Sequence, residues 1–209
     1  MNCKLLVIDY GVVNIQSVVN ALNFLGYTPW LSAKKADIEK ADIYIFPGIG
    51  AFAEAMKNLK NLRIIETLNR QILIAKKPIL GICLGMQVLA EDSEEYGFHQ
   101  GLGWIKGHVK KMLPTHQAKI PHIGWNPVTV VKKLPLFFRT NSTPAFYFDH
   151  SYEFVCPQDV IAATCRHGKD VVAAIQKDNI FGVQFHPEKS QIQGLKLLRG
   201  FMNFAEKLC

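Results

Sequence analysis

The stretch that decides the fold of this chain reads KPILGICLGMQVLA, from Lys77 to Ala90. It opens with an apolar run typical of a buried strand and closes, from Met86 onward, in a pattern at helical spacing. Between the two lies Gly-x-Cys-x-Gly, centred on Cys83. Glycines on both sides permit the sharp strand-to-helix turn that lifts one side chain clear of a sheet. The stretch therefore predicts a nucleophile elbow with cysteine as the nucleophile.

The predicted position of Cys83 at a helix N-terminus bears on its reactivity. A helix dipole favours a thiolate over a thiol at such a position. The alternative is an unreactive cysteine in a glycine-rich turn, because free cysteines are commonly buried. A base that can accept the thiol proton would decide between the two.

The elements before this stretch alternate between buried strands and amphipathic helices. We predict strands at 5–8 and 43–46, and helices at 14–25, 51–60 and 62–75. Such alternation indicates an α/β fold with a mostly parallel central sheet flanked by helices. Sheets of this kind carry their active sites beyond the carboxyl ends of the strands, which is where Cys83 is expected.

The second half of the chain is richer in strands. Strands are predicted at 128–131, 145–148, 171–175 and 180–185, and a helix at about 193–207. Residues 177–179 are a predicted hairpin connection, so the additional strands are expected to be antiparallel. Because the chain contains no linker or internal repeat, we predict a single domain over residues 1–209 with a flavodoxin-like arrangement.

A second motif, FGVQFHPE, runs from Phe181 to Glu188. A cysteine nucleophile needs a base, and an imidazole such as His186 accepts a proton near neutral pH. The carboxylate of Glu188 can fix the tautomer of that imidazole and stabilise its charged form. We therefore predict a catalytic triad of Cys83, His186 and Glu188, which only folding can bring together.

These motifs together resemble those of the class I glutamine amidotransferases. Further stretches narrow the resemblance to the glutaminase subunits of imidazole glycerol phosphate synthase, an enzyme of histidine biosynthesis. The stretches are PHIGWN at 121–126, Asp9-Tyr10-Gly11 followed by Asn14, Tyr147-Phe148, and His150-Ser151-Tyr152. The resemblance extends from about Leu5 to about Phe204. It implies hydrolysis of glutamine to glutamate and ammonia through a thioester on Cys83.

The resemblance also implies two groups of residues around the nucleophile. One would form an oxyanion hole, whose N–H donors stabilise the charge of a tetrahedral intermediate. Its expected donors are the backbone N–H of Leu84 and one from the loop at 47–50, either Ile49 or Gly50. The other group would bind glutamine and comprises Gln87, Ser151 and Tyr152. The sequence leaves open which amide points inward and whether the hole forms without a partner.

Residues 121–126 are expected to form a loop at a protein interface. In the family this loop contacts a cyclase subunit, a (β/α)8 barrel that receives the ammonia and releases imidazole glycerol phosphate and an aminoimidazole carboxamide ribotide. The expected contact residues are Pro121, His122, Gly124, Trp125 and Asn126. The alternative is that Trp125 is buried and anchors a β-corner.

Two positions depart from the family pattern. Val13 stands where glycine is common, and Asp149 stands where an apolar residue is usual. They leave the triad intact. They also leave open an alternative ammonia acceptor, a surface-polysaccharide sugar that is amidated by a pair of proteins paralogous to this synthase. A non-catalytic relative or a thiol peptidase on the same sheet are further alternatives, which the intact triad and Gln87 disfavour.

Composition excludes several other classes. The net charge of +7 over 209 residues comes from scattered Lys and Arg, without the basic and aromatic platform of a nucleic-acid binder. The five cysteines include no CxxC pair, so neither a zinc site nor a disulfide framework is expected, and a reducing cytoplasm fits. No apolar stretch is long enough to span a membrane. No cofactor motif is present.

Overall fold

The computed structural model describes residues 3–11, 14–116, 118–133 and 135–209. Val13 therefore lies outside the described residues. The first half of the chain contains β1 (Leu5–Ile8), α1 (Ile15–Phe24), β2 (Trp30–Ser32), α2 (Lys35–Lys40), β3 (Ile43–Phe46), α3 (Phe52–Asn61), α4 (Ile65–Asn69), β4 (Ile79–Ile82), α5 (Leu84–Gln87), β5 (Asp92–Ser93) and β6 (His99–Gln100). The second half contains β7 (His108–Lys111), β8 (His122–Val130), β9 (Ala145–His150), β10 (Tyr152–Val155), β11 (Ile161–His167), β12 (Lys169–Lys177), β13 (Ile180–Val183) and α6 (Gln191–Ala205).

Nine of the described strands form one sheet in the order β2-β1-β3-β4-β13-β12-β11-β8-β9. The strands from β2 to β13 run parallel to one another. From β13 to β9 every pairing is antiparallel. The predicted α/β fold, with a parallel block and additional antiparallel strands in the second half, is confirmed. The sequence did not predict a second sheet, in which four short strands pair in the order β10-β7-β5-β6.

The central strands are apolar on both faces because helices cover both sides of the sheet. Every residue of β1, β3, β4 and β13 is buried. Successive residues of β1 belong to different cores: Val7 packs in the core that α1 and α6 cover, and Leu6 packs in the core that α3 covers. This two-sided burial holds the carboxyl ends of β3, β4 and β13 at one edge of the sheet.

Two helices differ from their predicted extents. The predicted helix at 62–75 is α4 followed by a π-helical turn, Arg70–Ile74. The helix after Cys83 is only α5, four residues long. It stops because the carbonyls of Val88, Leu89 and Ala90 accept hydrogen bonds from the backbone of residues 102–105 instead of continuing the helix.

The 121–126 stretch is not a loop, as the sequence suggested, but part of a long strand. Residues 122–126 form the first half of β8, in which His122 pairs with His150 and Trp125 pairs with Tyr147 of β9. Alternation of side chains along a strand then places successive residues of this stretch on opposite faces of the sheet.

A disulfide joins Cys3 to Cys209, whose Cα atoms lie 6.1 Å apart. That separation is within the usual range for a disulfide. No pattern in the sequence indicated this pair, because residues 206 positions apart meet only in the folded chain. Cys83, Cys156 and Cys165 are free. Within the described ranges no helix has both the length and the apolar run needed to cross a membrane.

Candidate active site

The turn between β4 and α5 presents Cys83 in a backbone conformation that L-residues rarely adopt. Its φ of 54° and ψ of −112° lie outside the favoured regions. The neighbouring glycines are required by close packing. A Cβ on Gly85 would clash with the carbonyl oxygen of Phe46, and a Cβ on Gly81 would lie 2.6 Å from the Gly85 carbonyl oxygen. The predicted elbow is therefore built by the tight approach of β3 to this turn.

The helix that follows the elbow is shorter than its sequence pattern indicates. Only one turn, α5, begins after Cys83, with the N–H groups of Met86 and Gln87 donating to the Cys83 carbonyl. A macrodipole is the sum of aligned peptide units, so a single turn supplies little of it. The helix dipole that the sequence predicted to act on Cys83 is therefore small.

His186 and Glu188 form a buried pair beside Cys83. The Nδ1 of His186 lies 2.8 Å from Oε1 of Glu188, and both side chains are 2% exposed. Because a carboxylate only accepts, Nδ1 carries the hydrogen. The backbone of His186 is fixed as well, since its N–H donates to the Tyr147 carbonyl and its carbonyl accepts from the Ser190 hydroxyl. The second ring nitrogen, Nε2, is thereby left available for Cys83.

The protonation of His186 follows from opposing effects. Burial alone would lower its pKa, but the interactions with Cys83 and Glu188 outweigh burial and raise the pKa to about 10. The ring is therefore an imidazolium at neutral pH. Cys83 and His186 thus place a sulfur nucleophile next to a proton donor. The arrangement can attack an electrophilic carbon and protonate a leaving group.

A cavity of about 360 Å³ opens at Cys83. Its lining includes Cys83 and several residues that the sequence assigned to the site: Ile49, Gly50, Leu84, Gln87, Ser151, Tyr152 and Pro121. It also includes Glu95, Tyr96, Asp149, His150 and Lys189. A larger cavity of about 790 Å³, beside α6, is lined by none of these residues. Among the described residues no group of His, Cys, Asp or Glu is arranged to hold a metal.

The expected oxyanion hole is closed in this structure. The N–H of Leu84 donates to the Gly48 carbonyl oxygen at 3.2 Å, so this donor is already occupied. A peptide unit is planar and trans, so the N–H of Ile49 points away from Leu84 when the Gly48 carbonyl points toward it. The loop is held from the other side by the Tyr10 hydroxyl, which donates to the Pro47 carbonyl at 2.8 Å.

This geometry agrees with a comparison against protein families. The model described as glutamine amidotransferase class-I matches residues 6–203. The chain belongs to the class-I glutamine amidotransferase family. Several relatives are similar to this amidotransferase over nearly their whole length. Imidazole glycerol phosphate synthase subunit HisH 1 of Campylobacter jejuni (strain RM1221) is 46% identical over 195 residues, which cover 93% of this chain and 97% of that protein.

Two further relatives carry related names. Subunit HisH 2 of the same synthase from Vibrio vulnificus (strain YJ016) is 43% identical, covering 97% of this chain and 95% of its own. Subunit HisH of Listeria monocytogenes (strain ATCC BAA-679 / EGD-e) is 42% identical and covers 94% of each chain. The resemblance predicted from the motifs is confirmed.

Solved structures show the same fold. A crystal structure titled glutamine amidotransferase superposes with a TM-score of 0.75 at 20% identity, covering 97% of this chain and 98% of that chain. A glutamine amidotransferase from Thermotoga maritima gives a TM-score of 0.62 at 19% identity, with 99% and 85% covered. The predicted class I glutamine amidotransferase-like fold is confirmed.

Sequence reasoning missed two residues that the amidotransferase places in the site. Gln184 donates from Nε2 to the Cys83 sulfur at 3.7 Å, and its Oε1 accepts from Gln87. Its position two residues before His186 was a usable signal, because alternate residues of an extended segment share a face. Glu95 lines the cavity, and its Oε2 accepts from the Phe52 N–H at the start of α3. No local signal marked Glu95, which lies between short strands.

The five residues expected at the partner interface fall into different environments. Trp125 is 49% exposed and Pro121 is exposed, whereas Gly124 and Asn126 are half-buried. The alternative of a buried Trp125 is therefore wrong. His122 was expected at the surface, but it is only 3% exposed and is therefore buried. Strand alternation explains the difference, because His122 faces inward next to outward-facing Ile123.

Proposed function

We propose that this chain is the glutaminase subunit of an imidazole glycerol phosphate synthase and hydrolyses glutamine to glutamate and ammonia. The observation that carries the proposal is the buried Cys83–His186–Glu188 arrangement at the edge of a cavity of about 360 Å³. The relatives named as subunits of that synthase support the choice of pathway. We also propose that residues 1–209 form one domain, since β13 from the second half pairs with β4 from the first.

The first half of the reaction forms a thioester. The Cys83 sulfur attacks the side-chain amide carbon of glutamine, and the C–N bond breaks. The Nε2 hydrogen of His186 passes to the departing nitrogen, which leaves as ammonia. Glu188 keeps the ring in the required tautomer throughout because its carboxylate accepts from Nδ1.

The second half releases glutamate. Water attacks the γ-glutamyl thioester while His186, now neutral, accepts its proton. The C–S bond breaks, and Cys83 and His186 return to their starting states. Both halves pass through an oxyanion that needs N–H donors from Leu84 and from Ile49 or Gly50.

The polar groups of the substrate glutamine have counterparts around the cavity. Gln87, Ser151 and Tyr152 are proposed to hold glutamine by hydrogen bonds, as the resemblance implies. Glu95 adds a carboxylate that suits the α-ammonium group, and Lys189 adds a cation that suits the α-carboxylate. An amino acid with an apolar side chain offers no amide carbon for Cys83 to attack and no carbonyl oxygen for the oxyanion-hole donors, so it would not react.

The closed oxyanion hole predicts a dependence on a partner. With the Gly48 carbonyl on the Leu84 N–H, the intermediate lacks its donors until the Gly48–Ile49 peptide turns over. A lost oxyanion-hole donor costs about 10²–10³ in kcat in a well-studied serine protease. We therefore propose that the free subunit is slow and that a cyclase partner, a (β/α)8 barrel docked on the exposed face around Trp125, favours the open hole.

The test measures glutamate release from glutamine by the purified chain, first alone and then with the cyclase subunit and its nucleotide substrate. We expect slow release alone and stimulation of about 100-fold or more with both additions. In Cys83→Ala, glutamate release should vanish while ammonia-dependent synthesis by the cyclase persists. Glutamate release by Cys83→Ala at the native rate would refute the mechanism.

A second acceptor is distinguished by the same experiment. Asp149 places an exposed carboxylate on the cavity rim, where the family usually has an apolar residue. This charge keeps open a paralogous partner that amidates a surface-polysaccharide sugar. Glutaminase activity that does not respond to the histidine-pathway cyclase would favour that partner and leave the triad in place.

A further inference from the structure

A chain of hydrogen bonds begins inside β8, away from the cavity. The Nδ2 of Asn126 lies 3.1 Å from Nε2 of His122, whose Nδ1 lies 2.9 Å from Nε2 of His150. The Nδ1 of His150 lies 2.8 Å from the Tyr152 carbonyl oxygen. Because β8 and β9 pair His122 directly with His150, the two rings are held at this spacing by the sheet itself.

The same carbonyl continues the chain to the nucleophile. Besides His150, the Tyr152 carbonyl accepts from Nε2 of Gln87 at 3.1 Å. The Gln87 amide also donates to Oε1 of Gln184 at 3.0 Å, and Gln184 donates to the Cys83 sulfur. The orientation of the Gln87 amide is thus set by two acceptors, one of which is fixed in place by His150.

The donors and acceptors in this chain allow one assignment of protons. A carbonyl only accepts, so His150 carries its hydrogen on Nδ1 and its Nε2 accepts. His122 must then donate from Nδ1, and its Nε2 accepts from Asn126. The Asn126 amide has a second hydrogen, which it donates to the Arg166 carbonyl at 3.0 Å. With this assignment each of these hydrogen bonds has one donor and one acceptor.

Burial keeps both rings in the neutral form that the chain requires. Burial, together with His150 and His167, lowers the pKa of His122 to about 3. Burial also lowers the pKa of His150 to about 4, although the Tyr152 carbonyl opposes the effect. His122 is further packed between the rings of Phe148 and His167, with centroids 4.5 and 4.0 Å away.

We propose that His150, supported by His122, is a positioning residue that fixes the Tyr152 carbonyl and through it the Gln87 amide in the glutamine site. The proposal rests on the proposed function and names residues of that same site. A carbonyl that loses one of its two donors is held less firmly, and the amide of Gln87 can then rotate. Glutamine binding is weakened, while the triad itself is untouched.

The kinetic test compares three variants, two at His150 and one at His167. Each is measured in the complex with the cyclase and its nucleotide substrate. His150→Phe keeps a ring but removes the donor, and we expect KM for glutamine to rise roughly fivefold, with a smaller change in kcat. His150→Asn restores a donor near the Nδ1 position and should return KM to within about twofold of wild type. The matched control is His167→Phe. The His167 ring stacks on His122, but it donates to the Lys119 carbonyl and takes no part in the series of hydrogen bonds that leads to Cys83. An unchanged KM in folded His150→Phe would overturn the proposal.

An NMR measurement tests the same proposal without relying on activity. The ¹⁵N signals of His122 and His150 should both show a protonated Nδ1 and an unprotonated Nε2 at neutral pH. The side-chain amide signals of Gln87 should shift in His150→Phe and stay in place in His167→Phe. A His150 protonated at Nε2 would overturn the proposal. If the wild type releases no glutamate even with its partner, the proposed function fails, and these signals alone decide whether His150 positions Gln87.

Discussion

His186 owes its charge to two contacts that outweigh the effect of its burial. The ring is nearly inaccessible to water, which disfavours an imidazolium, yet Cys83 and Glu188 raise its pKa to about 10. Of the two contacts, only Glu188 is fixed by local sequence, because it lies two residues from His186. The Cys83 contact depends on the pairing of β4 with β13.

We predict that Glu188→Gln lowers kcat for glutamine hydrolysis by at least about 100-fold, because the amide can stabilise the wrong tautomer of His186 and supplies no charge. The matched control is Glu206→Gln, at the exposed end of α6, which should leave kcat unchanged. Both variants are compared by glutamate release in the presence of the cyclase. Native turnover in Glu188→Gln would contradict the role given to this carboxylate.

The same substitution changes how stability depends on pH. The pKa of His186 is raised from 6.5 to about 10, so the folded protein holds this proton more tightly than the unfolded chain does. The stabilisation is complete below pH 6.5 and is lost as the pH rises toward about 10. In Glu188→Gln the pKa of His186 falls, so this stabilisation of the folded protein should be lost at a lower pH. Urea unfolding across this range measures the free energy of unfolding, and identical profiles for both proteins would contradict the linkage.

At the scale of elements, the elbow depends on how closely β3 approaches the start of α5. The carbonyl of Phe46, the last residue of β3, occupies the space that a side chain at Gly85 would need. Neither partner can retreat, because Phe46 is fully buried and α5 is enclosed by the core. The same contact holds the strained backbone of Cys83 in place.

We therefore expect Gly85→Ala to lower the free energy of unfolding by about 3 kcal/mol or to prevent folding, because the new methyl group must displace backbone. The matched control is Gly26→Ala, at the end of α1, where φ is 88° and no atom lies within 4 Å of an added Cβ. This control should lose only about 1–2 kcal/mol from the left-handed backbone. Denaturant unfolding compares the two, and equal losses would contradict the packing argument.

At the scale of the whole molecule, the two ends of the chain are tied together. The Cys3–Cys209 disulfide spans a sequence separation of 206 residues, so it closes nearly the entire chain into a loop. The sheet also joins the two halves of the chain, because β13 lies between β4 and β12. Both features support the proposal of one domain, since neither half has a complete sheet of its own.

Reductant is predicted to lower the free energy of unfolding of the oxidised protein by about 2–4 kcal/mol, because opening the loop increases the entropy of the unfolded chain. Cys3→Ser should show the lower stability without reductant and no further response to it. Unfolding followed by fluorescence and by circular dichroism should give one coincident transition if residues 1–209 are a single domain. Separate transitions would contradict the single domain, and unfolding unaffected by reductant would contradict the disulfide.

The sequence by itself determined the parts of this protein that depend on near neighbours. Buried strands and amphipathic helices follow from periodicity, so β1, β3, α1 and α3 could be predicted to within a few residues. The elbow around Cys83 and the pair of His186 with Glu188 follow from residue types at short spacing. The antiparallel hairpin between β12 and β13 was likewise readable from its connection.

Features that depend on distant segments could be read only from the three-dimensional structure. The length of α5 is set by residues 102–105, whose N–H groups donate to the carbonyls just after the helix, and the state of the oxyanion hole is set by the Gly48 carbonyl. His122 faces inward because β9 pairs with β8 in one register, which no local pattern of the 121–126 stretch contains. The ends of the chain likewise meet only in the folded protein. Hydrogen bonds and packing between segments far apart in sequence choose among conformations that are locally equivalent, and the fold alone specifies which segments meet.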